Sequence, residues 1–201
     1  MSAYLSIDLD YWMEQKNSRS ATCFFKKVLG LHVPVTFVIE HEELVKDINK
    51  MKNMEIMYNV DYHSDIITTN EIGTEPEDYD WANFVKGKSK AEFCWIAPLE
   101  DCYNYDLGTC HVDGDEGDDP FMYPKRTGWK DCNWAIDLNL IEWDKIQRVG
   151  VCLSPCFVHI PSVKPVIKKL GMSIKEAHRL VQIQPHNHSQ RTRGVISVIA
   201  A

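Results

Sequence analysis

The sequence predicts an α/β fold with a mainly parallel sheet, and two observations lead to this class. Over the first third of the chain, short apolar β-prone segments alternate with segments of helical character. Strand–helix–strand alternation of this kind is typical of right-handed parallel units. The length of 201 residues, with 44% hydrophobic and 25% charged residues, suits one domain with a full core. We therefore expect residues 1–201 to form a single domain.

The elements of the first third are predicted from apolar periodicity and from helix start and stop signals. Asn17 or Ser18 can cap the first helix, and Gly30 can end it. Strands are expected over residues 4–12, 33–40 and 55–65, and helices over residues 17–30 and 42–51.

The rest of the chain gives a less regular pattern. An acidic loop over residues 68–80 is expected to lie above a site, and residues 102–131 show no periodicity. Beyond the third strand we expect a short helix over 81–85, strands over 93–98, 134–140 and 149–154, and helices over 161–171 and 174–181. Apolar residues return near the end, over 195–200.

Composition and charge exclude several classes of function. A net charge of −7 argues against a nucleic-acid partner and suits a cationic substrate. The first residues lack a signal-peptide pattern and no apolar run is long enough to span a membrane, so we expect a cytoplasmic protein without a membrane partner. Seven scattered cysteines indicate reduced thiols rather than a disulfide or zinc framework.

Asp61, His63 and Asp65 follow a β-prone run at intervals of two residues. In an extended chain, alternate side chains project on the same side, so these three side chains would project on one side of the strand. Carboxylates with an imidazole suit a hard or borderline divalent ion such as Mn²⁺. A polar exit from a strand, with an aspartate as a turn cap, is the alternative interpretation.

Two other predicted strands also end in candidate ligands. Asp8 and Asp10 end the first strand, and His41 follows the second. In parallel α/β sheets, sites form at the carboxyl ends of the strands, so these residues should lie near the group at 61–65. Crowded carboxylates without a cation would raise one another's pKa values. Six ligands exceed what one catalytic ion needs, and two ions fit the count.

These motifs resemble those of the arginase and agmatinase superfamily. Asp61-Tyr-His63-Ser-Asp65 resembles its Asp-x-His-x-Asp motif, and Ser6-Ile-Asp8-Leu-Asp10 resembles its Ser-x-Asp-x-Asp motif. Glu40-His41 resembles the end of its Gly-Gly-Asp-His motif. In ordinary arginases the Asp-x-Asp motif comes last, whereas here it comes first, which resembles a circular permutation.

The resemblance implies a three-layer α/β/α sandwich, arginase-like with permuted strand order, and a site for two Mn²⁺ ions. It also implies that Asp65 and His63 are catalytic, with Asp65 transferring a proton to the departing amine. The implied metal ligands are Asp8, Asp10, His41, Asp61, His63 and Asp65.

The small size also resembles that of the peptide arginases, which convert arginine to ornithine in ribosomally made peptide natural products. In enzymes for free arginine, an Asn and hydroxyl groups after the motif resemble a clamp for the α-carboxylate, whereas this chain has Ile66-Ile67. We therefore expect an arginine-containing precursor peptide as the substrate, with urea as the second product. Thr68, Thr69 and Asn70 are the alternative clamp, after a shift of a few residues.

A carboxylate must also orient the arginine cation, because the guanidinium remains charged at ordinary pH. Glu42, Glu40 and Glu100 are the candidates, although Glu40 and Glu42 could instead support His41 or the helix that follows it. Other functions stay open: a ureohydrolase for free arginine, agmatine or another small guanidine, a metal-dependent deacylase, or a non-catalytic module with a structural metal. The oligomeric state is open too.

Overall fold

A computed structural model describes residues 2–12, 18–68, 72–77, 79–102, 119–154, 168 and 196–199. Seven strands in these residues form one sheet in the order β5-β4-β3-β1-β6-β2-β7. They are β1 (Ala3–Asp8), β2 (Pro34–Val38), β3 (Ile56–Val60), β4 (Glu92–Ile96), β5 (Asp131–Ala135), β6 (Ile146–Cys152) and β7 (Ile196–Ile199). Strands β1 to β6 run parallel, and β7 pairs antiparallel with β2. The predicted α/β class with a mainly parallel sheet is confirmed.

The first helix lies where the sequence predicts it, as α1 (Ser18–Gly30). The second is shorter than predicted: a 3-10 turn, His41–Leu44, leads into α2 (Val45–Ile48). Glu43 closes this turn, because its carboxylate accepts hydrogen bonds from the backbone N–H groups of Ile39 and Glu40. The expected short helix after residue 80 is a 3-10 turn, Trp81–Phe84.

Three strand predictions were wrong in their bounds. The strand predicted over 4–12 stops at Asp8, and a 3-10 turn, Leu9–Trp12, follows it. The strand predicted over 55–65 stops at Val60, because the Asp61 carboxylate accepts a hydrogen bond from the backbone N–H of His63. The strand predicted over 134–140 lies earlier, at β5, and a 3-10 turn at Leu138–Leu140 occupies the later half of the predicted range. The predicted helices at 161–171 and 174–181 lie outside the described residues, apart from residue 168.

Two hydrophobic clusters pack against the sheet. Alternate residues of β1 belong to different clusters, because successive side chains of a strand point to opposite faces of the sheet. The first cluster contains residues of β1 and α1, among them Ala3, Leu5, Ile7, Phe24, Phe25 and Val28. The second contains Tyr4 of β1 and the apolar residues around α2, namely Leu44, Val45 and Ile48. Helical segments thus pack into both clusters. The three-layer sandwich itself stays a prediction.

The strand order places a crevice at the carboxyl end of β1. From β1 the chain continues to β2 on one side of the sheet and then crosses to β3 on the other side. Parallel sheets bind ligands at such a change of direction, outside the carboxyl ends of the strands. Within the described residues, no helix is both long enough and apolar enough to cross a membrane.

Gly150 of β6 permits close packing beneath this crevice. A Cβ atom at this position would contact the Tyr4 hydroxyl and would lie 2.7 and 2.8 Å from the two Leu44 methyl groups. The same Tyr4 hydroxyl donates a 3.1 Å hydrogen bond to the buried Asp47, which also accepts from Arg148 at 2.6 Å. An added methyl group would therefore push against a hydrogen-bonded network as well as against the core.

We expect Gly150→Ala to lower the free energy of unfolding by about 1–3 kcal/mol, the usual cost of overpacking. Urea denaturation followed by circular dichroism measures this change. Gly30→Ala is the control, since a Cβ at Gly30 meets nothing within 4 Å. Equal midpoints for the two variants would contradict the packing described for Gly150.

Candidate metal centre

Carboxylates and histidines converge where the carboxyl ends of β1, β2 and β3 meet. Two groups of three side chains could each hold a metal ion: Asp8, His41 and Asp61 form one, and Asp10, Asp61 and His63 form the other. In each group the ligand atoms lie within 4.8 Å of one another. Asp61 belongs to both groups, so the two positions are adjacent. We call them the inner position (Asp8, His41, Asp61) and the outer position (Asp10, Asp61, His63).

His41 is the deepest imidazole of the site, with a side chain that is 3% exposed. Its Nδ1 atom lies 2.9 Å from Oδ2 of Asp61, 2.8 Å from Oδ2 of Asp65 and 3.5 Å from Oδ2 of Asp8. Its other nitrogen, Nε2, lies 2.7 Å from the Ser6 hydroxyl. The Ser6 oxygen can accept a hydrogen bond from Nε2–H, which leaves the Nδ1 lone pair directed at the carboxylates, as a metal ligand requires.

The surroundings of His41 Nδ1 fit a cation better than a hydrogen bond. This nitrogen is buried and makes no hydrogen bond of acceptable geometry within the described residues, despite three nearby carboxylates. One N–H proton could be donated to only one of them. Ligand atoms that share one divalent ion at bond lengths of roughly 2.1 Å lie roughly 3 Å apart, comparable to the separations here.

A turn, rather than an extended strand, brings Asp61, His63 and Asp65 to the centre. After β3 ends at Val60, the Asp61 carboxylate accepts the backbone N–H of His63 at 3.0 Å, which bends the chain. Asp65 then adopts a left-handed backbone conformation with φ of 55°. The expectation that all three project from one strand face was therefore wrong in its geometry, although the side chains do meet.

Asp8 and Asp10 are arranged in the same way after β1. The Asp8 carboxylate accepts the backbone N–H of Asp10 at 3.0 Å, within the 3-10 turn Leu9–Trp12. Asp10 in turn accepts the backbone N–H of Tyr62 at 3.3 Å, and its second oxygen lies 3.4 Å from Nδ1 of His63. The His63 side chain is 30% exposed, so the outer position faces solvent.

Burial and mutual repulsion disturb the pKa values of the carboxylates. Burial, followed by repulsion from Asp61, raises the pKa of Asp8 to about 6 and that of Asp65 well above its ordinary value. Burial and the charges of Asp8 and Asp61 raise the pKa of Asp10 as well. Burial also acts to raise the pKa of Asp61, but His41 outweighs it and holds the value at about 2. The shared aspartate is therefore the most readily ionised of the four.

The histidines shift in the opposite sense to that expected from burial. Burial alone lowers the pKa of His41, but the Asp61 and Asp65 carboxylates outweigh it and raise the pKa well above its usual value. For His63, burial is likewise outweighed by Asp10, Asp61 and Asp65, and the pKa rises to about 10. With a pKa of about 10, His63 is protonated at neutral pH when no metal is bound, and it partly compensates the carboxylates.

Several supporting residues were not predicted as parts of the site. The Ser154 hydroxyl donates to Asp8, and the Asn59 amide donates to Asp61 at 3.4 Å. The indole N–H of Trp95 donates to the backbone oxygen of Asp61 at 3.1 Å, and Trp81 packs against His41. No local motif marks Ser154, Trp95 and Trp81, because they come from distant segments that only the fold brings together, whereas Asn59 lies two residues before Asp61.

The three glutamates predicted to bind the substrate differ in position and in exposure. Glu40 and Glu42 flank His41 in sequence; Glu42 is 6% exposed and Glu40 is half-buried. Glu100 is exposed, in the segment that follows β4. Ile66, Ile67 and Thr68, which follow Asp65, are all buried, and Thr69 and Asn70 lie outside the described residues.

Comparison with protein-family models, with curated proteins and with solved structures finds no match to this chain. Fold and site alone therefore define its class. It is an α/β protein whose mainly parallel sheet carries, at the carboxyl ends of its parallel strands, a largely buried cluster of carboxylates and histidines that could bind metal.

We expect metal binding to release at least one proton at pH 7, because His63, whose pKa lies at about 10, must lose a proton to become a ligand. Calorimetric titration with Mn²⁺ in buffers of different ionisation enthalpy measures the number released. His32→Asn is the control, since His32 is exposed and has a φ of 52° that asparagine tolerates. A heat of binding that does not depend on the buffer would contradict this description of the metal-free histidines.

Proposed function

We propose that the chain is a manganese-dependent hydrolase that converts arginine side chains within a peptide to ornithine, with release of urea. The observation that carries the proposal is the sharing of Asp61 between the inner and outer positions. A carboxylate common to two ligand groups is suited to a pair of neighbouring ions. The motif resemblance to arginases supports the guanidinium as the group that is hydrolysed.

The choice of Mn²⁺ follows from the donor atoms. Each position offers two carboxylates and one imidazole, and such oxygen-rich sets suit hard or borderline divalent ions. Asp65 lies close enough to His41 to add a further oxygen to the inner position. When bound, two such ions would supply a water molecule of lowered pKa and stabilise the negative charge that develops during hydrolysis.

The protein groups would orient the substrate and move its protons. The exposed side of His63 marks the entrance, where a long cationic side chain can reach the carboxylates while its backbone stays outside. Asp65, deeper in the site, would accept a proton from the attacking water and transfer it to the amine nitrogen as the carbon–nitrogen bond breaks. Glu42 or Glu40, beside His41, would hold the guanidinium through its N–H groups.

One feature supports a peptide rather than free arginine. The described residues after Asp65 have buried side chains, so Ile66, Ile67 and Thr68 expose no group that could hold a free α-carboxylate. The net charge of −7 suits a cationic substrate of either kind. We infer that the partner is an arginine-containing precursor peptide, of the kind modified in natural-product biosynthesis.

Incubation of the purified protein with Mn²⁺ and arginine-containing peptides is expected to lower the peptide mass by about 42 Da per arginine, with one urea released. Chelation of the metal should stop the reaction, and Mn²⁺ should restore it. Urea from free arginine or agmatine, with no change in any peptide, would favour the small-guanidine alternative. Absence of urea from all of these substrates would refute the proposed chemistry.

Asp10→Asn is expected to reduce turnover by more than about 100-fold, because a neutral amide replaces a ligand of the outer position. The matched control is Asp144→Asn, which removes the same charge at an exposed position. Initial rates of urea release at saturating Mn²⁺ compare the two variants. Wild-type turnover in Asp10→Asn would exclude Asp10 as a ligand.

A further inference from the structure

We propose that Trp81 is a positioning residue that fixes Asp65 against His41 and so completes the inner metal position, but not the outer one. This inference rests on the proposed function only in taking the cluster as a site for two ions. Trp81 belongs to the 3-10 turn Trp81–Phe84, far in sequence from every predicted ligand, and its side chain is fully buried.

The indole of Trp81 contacts both residues that it would position. Its Nε1–H donates a 2.6 Å hydrogen bond to Oδ2 of Asp65, the same oxygen that lies 2.8 Å from Nδ1 of His41. Its ring lies against the imidazole of His41, with centroids 4.4 Å apart and planes tilted by 33°. One side chain therefore limits the rotation of a carboxylate and of an imidazole together.

The backbone around Trp81 holds Asp65 from the other side. The N–H of Ala82 donates to the backbone oxygen of Asp65 at 3.2 Å. The Asn83 side chain pairs with both backbone groups of Ile67: its Nδ2 donates to the Ile67 oxygen at 2.6 Å, and its Oδ1 accepts the Ile67 N–H at 3.0 Å. These bonds maintain the left-handed conformation of Asp65, which a residue with a Cβ rarely adopts without such support.

The outer position has different supports. Asp10 is held by the backbone N–H of Tyr62, and His63 lies beside Asp10. Asp61, which both positions share, is held by Asn59 and by Trp95. Trp81 contacts Asp65 and His41, so loss of its N–H should act mainly on the ion at the inner position.

Hydrogen-bond donors behind metal ligands fix the ligand orientation, and their removal usually weakens metal affinity by about 10- to 100-fold. Trp81→Phe keeps an aromatic ring against His41 and removes the N–H donor to Asp65. Trp129→Phe is the matched control: Trp129 is 3% exposed, belongs to the same hydrophobic cluster, and its indole N–H has no hydrogen-bond partner in the described part of the chain.

Calorimetric titration with Mn²⁺ alone should show two affinities in the wild type, with one of them weakened about 10- to 100-fold in Trp81→Phe and both unchanged in Trp129→Phe. Electron paramagnetic resonance gives an independent signature. At two equivalents of Mn²⁺ the wild type should give the spectrum of a coupled pair, whereas Trp81→Phe should give the six-line spectrum of isolated ions.

Two unchanged affinities in a folded Trp81→Phe protein, or equal weakening of both, would overturn the inference. If that variant fails to fold, Asn83→Ala provides the second test, with a smaller selective loss expected and equal weakening again overturning the inference. Urea release by the wild type is measured in parallel. Two bound ions without hydrolysis of any arginine substrate would refute the proposed function and leave the positioning role standing.

Discussion

Repulsion among four buried carboxylates is the interaction on which the arrangement of the site depends. Burial and mutual charge raise the pKa values of three of them, Asp8, Asp10 and Asp65. Buried charges of one sign are costly unless cations and hydrogen-bond donors compensate them. The fold places two histidines among the carboxylates and surrounds the cluster with donors from hydroxyl, amide, indole and backbone groups. Such a concentration of negative charge is best explained by the cations that it can bind.

The topology of the sheet makes this concentration possible. Strand β1 lies between β3 and β6, so the turns that follow β1 and β3 lie side by side. His41 follows β2, which is separated from β1 by β6. Order across the sheet, rather than order along the chain, therefore decides which ligands meet.

Much of the fold could be predicted because local patterns are strong in the first third of the chain, where apolar segments and Gly30 mark β1, α1 and β2. The closeness of the candidate ligands could be predicted because sites in parallel sheets form at the carboxyl ends of the strands. The turn at Asp61 could not be predicted from the spacing of two residues between candidate ligands. The Asp61 carboxylate accepts the backbone N–H of His63, and this bond ends the strand. Trp81 and Ser154 escaped prediction because their partners are fixed by the fold, not by nearby sequence.

Ile66 and Ile67 illustrate how one sequence feature can have a structural cause as well as a functional consequence. Both are buried, and Ile66 belongs to the second hydrophobic cluster. Burial of such side chains contributes about 1.5–3 kcal/mol each, enough to offset the cost of about 1–2 kcal/mol for a left-handed residue. The pair therefore anchors the loop in which Asp65 is held. A chain that uses these positions as an anchor cannot also use their side chains to bind a free carboxylate, and the proposal of a peptide substrate relies on this.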